Sequence, residues 1–269
     1  MRGGPYQVFG CLFICMIAGC PSAVSLEASR PAGRHPSTRT DAEGPIAPGK
    51  TQLLTVVSED WDTFHATLRR YERQPGSEWI EVGRPIPVVL GHAGYGWGRG
   101  LHGQGAPAGR EGPIKREGDG RSPAGVFALG PMYGYEPPPA KVSLTYVEAT
   151  PALRCVDDPS SLHYNRIVST SEQVRDWRSA ELMLRGDDHY EIAIVVAHNA
   201  APPTRGAGSC IFLHVWDGPD VAVKGCTAMA KPALHLLSEW LEAGAAALVA
   251  LPKNEYDALT GRWGLPPRR

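Results

Sequence analysis

Residues 51–91 read TQLLTVVSED-WDTFHATLRR-YERQPGSEWI-EVGRPIPVVL-G, and this stretch decides the fold class. It holds four strand-like pieces, Gln52 to Val57, Phe64 to Arg70, Glu78 to Val82 and Ile86 to Gly91, each bounded by Gly, Pro or Asp. Their β-branched and alternating apolar residues predict a meander of short strands. Outward from it, the composition agrees: 31 Gly and 25 Pro in 269 residues, with 42% hydrophobic residues, favour short strands and many turns over a helical bundle. A mainly β fold follows, and the length suffices for one substantial core.

Charge excludes further classes. With 27 Lys+Arg against 28 Asp+Glu, the formal net charge of -1 supplies no long-range field for a polyanion, so nucleic acid is not an expected partner. No apolar run reaches the roughly 18 residues of a membrane span.

The N-terminus reads as an export signal: Arg2, an apolar run from Val8 to Ala18, then small residues. Ile17-Ala18-Gly19-Cys20 resembles the bacterial lipoprotein box, which predicts cleavage after residue 19 and lipidation of Cys20; an ordinary signal peptide cut near Ala23 is the alternative. From residue 20 to about Lys50, aromatic residues are absent and Pro, Ser, Arg, Gly and Thr dominate, as in a flexible tether. The expected domain spans residues 51–259, with a tail over 260–269.

Six cysteines occur, at 11, 15, 20, 155, 210 and 226, and the first three belong to the signal or lipid site. Three remain in the exported domain, so at least one is free or pairs with another molecule. A Cys155–Cys210 bridge leaves Cys226 reactive; a Cys155–Cys226 bridge masks it.

Residues 91–125 are Gly-rich without periodicity and read as a loop bordering a site. Residues 146–170 read as an irregular connection, followed by a short helix around 178–184. Glu191 to Val196 and Ile211 to Val215 read as buried strands, Pro232 to Gly244 as an amphipathic helix, and Ala246 to Leu251 as a strand.

Gly98-Arg99-Gly100-Leu101-His102-Gly103 fits the dinucleotide pattern, but the Gly- and Pro-containing residues after it supply no helix N-terminus for a pyrophosphate, so it reads as loop. A zinc set of His198, Cys210, His214 and Cys226 lacks the close paired spacing of structural sites, and no metal is expected. The remaining constellation is His214 at the end of the strand Ile211-Phe212-Leu213, with Gly225-Cys226-Thr227 beginning eleven residues later. Acyl transfer by cysteine needs a thiol, an imidazole and backbone N–H groups for the oxyanion, and adjacent strand ends can assemble them.

Three elements together carry a family resemblance: Gly120-Arg121-Ser122-Pro123-Ala124-Gly125-Val126-Phe127, Gly208-Ser209-Cys210-Ile211-Phe212-Leu213-His214, and Lys224-Gly225-Cys226-Thr227. In order and spacing they resemble the L,D-transpeptidase (YkuD-type) catalytic domain over roughly Thr51 to Leu259. The likeness is to a branch of exported bacterial proteins with segments like Asp157-Asp158-Pro159-Ser160 and Tyr164-Asn165. It implies a β-sandwich with short helices, one near the C-terminus. Cys226 would be the nucleophile, His214 its base, and Gly225 and Cys226 the oxyanion donors. The substrate would be a peptidoglycan tetrapeptide stem, with no cofactor, at the periplasm-facing envelope.

The chain departs from the family's Ser/Thr-His-Gly-Cys form, with Val223-Lys224-Gly225-Cys226, and Ala228 replaces the usual Asn or Arg. Lys224 would then partly replace the lost positive charge and lower the thiol pKa, or else point to solvent. Arg121 is placed either on a stem carboxylate or in a turn. His198 borders the cleft or caps a strand; Tyr164 and Asn165 support the site; Trp216 packs over it. Hydrolysis by the same cysteine, and a wall-binding lipoprotein without catalysis, remain the alternative functions. Oligomeric state is not legible.

Overall fold

The computed structural model describes residues 44–138, 140–200 and 202–268; the expected signal peptide, the expected lipidation site Cys20 and most of the expected tether lie outside them. Among the described residues fifteen strands and two helices follow in order: β1 (Gln52–Ser58), β2 (His65–Glu72), β3 (Ile80–Val89), β4 (Tyr95–Trp97), β5 (Arg99–Gly100), β6 (Gly103–Gln104), β7 (Ser122–Gly134), β8 (Tyr146–Glu148), β9 (Leu153–Cys155), β10 (Ile167–Ser169), β11 (Glu181–Leu182), β12 (Ile192–Val196), β13 (Phe212–Val215), β14 (Thr227–Met229), α1 (Lys231–Trp240), β15 (Ala246–Pro252) and α2 (Lys253–Trp263).

The fold is mainly β, as composition implies, but the sheet closes into a barrel where a sandwich is expected. The reason lies in β7, whose 13 residues join the two ends of one sheet. Its Gly125–Ala128 half pairs with β15 and its Leu129–Gly134 half with β12, so the ring runs β7-β15-β1-β2-β3-β14-β13-β12 and back. A closed sheet leaves no free edge along that ring. The meander appears as β1, β2 and β3. The two pieces expected at 78–82 and 86–91 are one strand, because a register shift between Leu68 and Arg70 of β2 lets Gly83, Arg84 and Pro85 bulge out.

β1 and β15 are buried on both faces, against the barrel interior and against the outer layer. α2 packs on β15 and β1, and α1 on β13 and β12. Helix α1 ends at Trp240, since Leu241 turns extended (φ -71, ψ 131), four residues before the expected Gly244. α2 was not expected. Its Tyr256, Leu259 and Trp263 enter the core at helical spacing, and Gly264 closes it in the left-handed region (φ 62). The supposed tail is therefore core as far as Leu265, and Tyr256 Oη donates to Pro266 O at 2.8 Å. At the other end the packed domain begins before residue 51: Ile46 is in the core, and Arg73 Nε donates to Lys50 O at 2.8 Å.

No helix forms around 178–184; Glu181–Leu182 are β11 and pair with β9. Met183 is completely buried, so tertiary burial overrides the local helical propensity. The Gly-rich segment 91–125 is mostly loop, with β4, β5 and β6 inside it, and Tyr95 and Trp97 are core residues. At Gly100 a Cβ would lie 2.3 Å from Val126 O, so this glycine serves close strand packing.

Arg110 ties this loop to α2 by a bidentate pair with Glu255, Nε–Oε2 2.6 Å and Nη2–Oε1 2.8 Å. Glu255 is nearly inaccessible. Glu255→Ala is expected to lower the unfolding free energy by about 1.5–3 kcal/mol, read from urea denaturation. Among the described residues no helix is long and apolar enough to cross a membrane.

Candidate functional site: a buried cysteine between two parallel strands

Side chains alternate along β13. Leu213 and Val215 enter the barrel core, so Phe212 and His214 face outward. β14 lies parallel, with Leu213 opposite Thr227 and His214 opposite Ala228. One step back along that register sets Cys226 beside Phe212, on the same face as His214 and diagonal to it. The Phe212 N–H donates to Cys226 Sγ at 3.3 Å, and the thiol donates to Cys210 O at 3.5 Å.

Cys155 and Cys210 form a disulfide, which leaves Cys226 as the free cysteine among the described residues. The bridge also fastens a cover over the site. Residues 149–190 carry the small sheet β10-β9-β11, and Cys155, Met183 and Tyr190 from this region pack with Cys210, Phe212 and Cys226. The Tyr190 ring lies 5.3 Å from that of Phe212 and 5.4 Å from that of His214, both edge-on. Tyr190 Oη donates a short hydrogen bond to Glu181.

This cover sets the protonation states. Cys226 is only 8% exposed, and burial pushes its thiol up to about 12, with the Glu181 carboxylate adding to the effect. Burial pushes His214 down to about 4. Its Nδ1–H donates to Val215 O at 2.7 Å, which makes Nε2 the basic nitrogen. The resting pair is thus a neutral thiol and a neutral imidazole. The expected help from Lys224 is not what the structure shows: Lys224 is exposed, and the cations that favour the thiolate are Lys115 and Arg185. Lys115 is buried, paired with Asp119 and donating to Arg116 O at 2.7 Å.

Gly225 sits in a tight place, since a Cβ there would lie 3.1 Å from Arg121 O. Ser122, the first residue of β7, donates to Cys226 O at 2.7 Å and accepts the Gly91 N–H at 2.9 Å. The Gly120–Phe127 element therefore braces the main chain of the cysteine. Arg121 is occupied: Nη1 donates to Tyr95 O at 2.8 Å and Trp61 O at 3.1 Å, and Nη2 pairs with Asp62 at 2.8 Å. The turn reading of Arg121 fits these contacts better than the carboxylate-binding one.

His198 donates from Nε2 to Ala207 O at 2.9 Å and accepts the Arg99 N–H at Nδ1, 3.3 Å, a structural clamp at a strand end. Tyr164 Oη donates to Glu117 at 2.5 Å and accepts the Gly208 N–H at 3.1 Å. Asn165, at φ 58, accepts the Cys210 N–H at 3.0 Å and donates to His198 O and Asn199 O. Both brace the Gly208–Cys210 approach to β13. Trp216 is half-buried just past β13, its N–H on Met229 O at 3.0 Å. With its sulfur in the bridge, Cys210 cannot join a zinc set, and among the described residues no group of three or more His, Cys, Asp or Glu is placed to hold a metal.

Sequence reasoning missed Lys115, Glu181, Arg185 and Tyr190. Lys115 sits in the Gly-rich loop, Glu181 in the expected short helix, and Arg185 and Tyr190 between expected elements, and only the fold carries them toward Cys226.

Buried His198 and His214 and half-buried His102 are each pushed down to about 4 by desolvation. In the unfolded chain each returns to about 6.5. The native state therefore holds them neutral, and their contribution to stability is complete above about pH 6.5 and is lost as pH falls toward 4. Denaturation followed between about pH 6 and pH 4.5 is expected to show unfolding taking up about two to three protons from these histidines.

No known family model matches the chain, and no curated protein matches it. Among solved structures, Bdellovibrio bacteriovorus Bd1075 is similar at a TM-score of 0.38 and 13% identity, covering 83% of this chain. The match spans 57% of that protein's chain, and a likeness this low establishes no shared activity.

Proposed function

We propose that this protein is a cysteine acyltransferase of the L,D-transpeptidase kind, acting on peptide stems of peptidoglycan. The observation that carries the reading is the pairing of Cys155 with Cys210, which leaves Cys226 as a thiol on the same outward face as His214 on the neighbouring strand. The three elements of the family resemblance converge there: Ser122 holds the Cys226 carbonyl, Cys210 accepts from its thiol, and Gly225 lets the main chain pass.

In this reading His214 Nε2 takes the Cys226 proton as sulfur attacks the stem carbonyl. The proton then goes to the departing D-Ala amine, and a thioester acyl-enzyme remains. A thiol near 12 and an imidazole near 4 make transfer during the attack the route, not a preformed thiolate. Main-chain N–H groups of Gly225 and Cys226 would hold the oxyanion. The chemistry asks for no cofactor. Export and a lipid on Cys20 would place the domain at the envelope, facing the wall; hydrolysis by the same cysteine differs only in the acceptor.

The test is intact-mass spectrometry of the protein after incubation with a tetrapeptide-bearing muropeptide. An adduct of the stem minus D-Ala supports the reading. A specific observation favours a second one: with Cys226 8% exposed beneath the cover, the chain would be a wall-binding lipoprotein without catalysis. Iodoacetamide separates the two, since a thiol that resists alkylation in the folded protein and forms no adduct favours the second.

A further inference from the structure

Two routes of contact lead from Glu181 to the Cys226 sulfur. Along the first, Glu181 stands opposite Cys155 in the β11–β9 register, Cys155 is bridged to Cys210, and Cys210 O accepts from the thiol. Along the second, Glu181 accepts from Tyr190 Oη, the Tyr190 ring packs on Phe212, and the Phe212 N–H donates to the sulfur. A carboxylate is thus tied to the surroundings of the nucleophile by two routes and acts electrostatically on its sulfur, and the acylation step described above does not use it.

Proton balance gives it a task. An ammonium acceptor carries three N–H protons and the amide product one, so two protons must leave as the C–N bond forms and the C–S bond breaks. His214 can pass one of them to the departing Cys226 thiolate. The second needs another base. Water as acceptor loses only one proton while its C–O bond forms, so hydrolysis has no use for a second base.

We propose that Glu181, positioned by Tyr190, is the base that takes this second proton, and so favours an amine over water as acceptor. The inference rests on the acyltransferase reading of Cys226. Its surroundings suit an ammonium. Asp157 lies close enough to act on Glu181, and its Oδ1 is buried with no hydrogen-bond partner. Burial and Asp157 raise the Glu181 carboxyl above its usual range, while Tyr190, Arg185 and Lys224 work the other way. Of these cations Arg185 is committed to Asp187 at 2.9 Å, and Lys224 is exposed. After each turnover the proton on Glu181 passes to solvent.

The experiment uses the intact protein, a tetrapeptide-bearing muropeptide as donor and glycinamide as acceptor, and reads the ratio of aminolysis to hydrolysis products from one acyl-enzyme. Glu181→Gln is expected to lower that ratio about 100-fold at neutral pH. The deficit should shrink as pH rises past the acceptor's pKa of about 8, because the free amine has only one proton to lose. Glu181→Asp, which keeps the charge, should recover part of the ratio. A merely structural role would show neither the pH dependence nor the recovery. An unchanged ratio, or a deficit independent of pH, overturns the role of Glu181 while Cys226 stands as nucleophile. A wild-type protein without any acyl adduct instead overturns the nucleophile, and this inference with it.

Discussion

Cys226→Ala is expected to abolish the acyl adduct and to lower turnover of a tetrapeptide stem by about 10⁴-fold or more, the scale on which loss of a covalent nucleophile is felt. The substitution removes one sulfur that donates to Cys210 O at 3.5 Å and accepts the Phe212 N–H at 3.3 Å, two weak hydrogen bonds whose loss the fold should survive. Circular dichroism would check that. His214→Gln should follow with a loss of about 10²–10⁴-fold, because the Nε2 that receives the thiol proton is gone. The two losses should fall well short of adding, since both residues serve one proton transfer. If Cys226→Ala turned over stems at the wild-type rate, the acyl-enzyme route would be wrong.

Replacing both bridged cysteines, Cys155→Ser with Cys210→Ser, is expected to destabilise the protein by about 4 kcal/mol. The bridge closes a sequence separation of 55 residues, and cross-linking a loop of that length removes this much unfolded-chain entropy. Urea denaturation of the double variant against wild type reads it. A second consequence is local. The bridge joins the β9 region of the cover to the residue whose carbonyl accepts from Cys226, so its loss should let residues 149–190 open more often. Alkylation of Cys226 should then run faster than in the wild type. Equal alkylation rates would mean that packing of Met183 and Tyr190, not the bridge, holds the cover down.

The sequence carried the strands of the meander, because period-2 alternation between Gly and Pro boundaries is a local signal that needs no partner to be read. It likewise carried β12, β13, β15 and the body of α1. Motif order pointed to His214 and Cys226 together, and the structure sets their strands side by side, with Leu213 opposite Thr227 and His214 opposite Ala228.

What tertiary structure decided is of another kind. Whether the sheet closes depends on β7 meeting β15 with one half and β12 with the other, two pairings between residues far apart in the chain. The choice between disulfide partners turned on which cysteines the fold brings together, and three cysteines admit either answer. A short apolar run near residue 181 became a strand because β9 was there to pair with it. The charges around Cys226 come from Lys115, Glu181 and Arg185, which no spacing rule connects to position 226, while Lys224, two residues away in the chain, is exposed. Local periodicity sets which elements form; burial and long-range pairing set which side chains share a site, and therefore how acidic the thiol is.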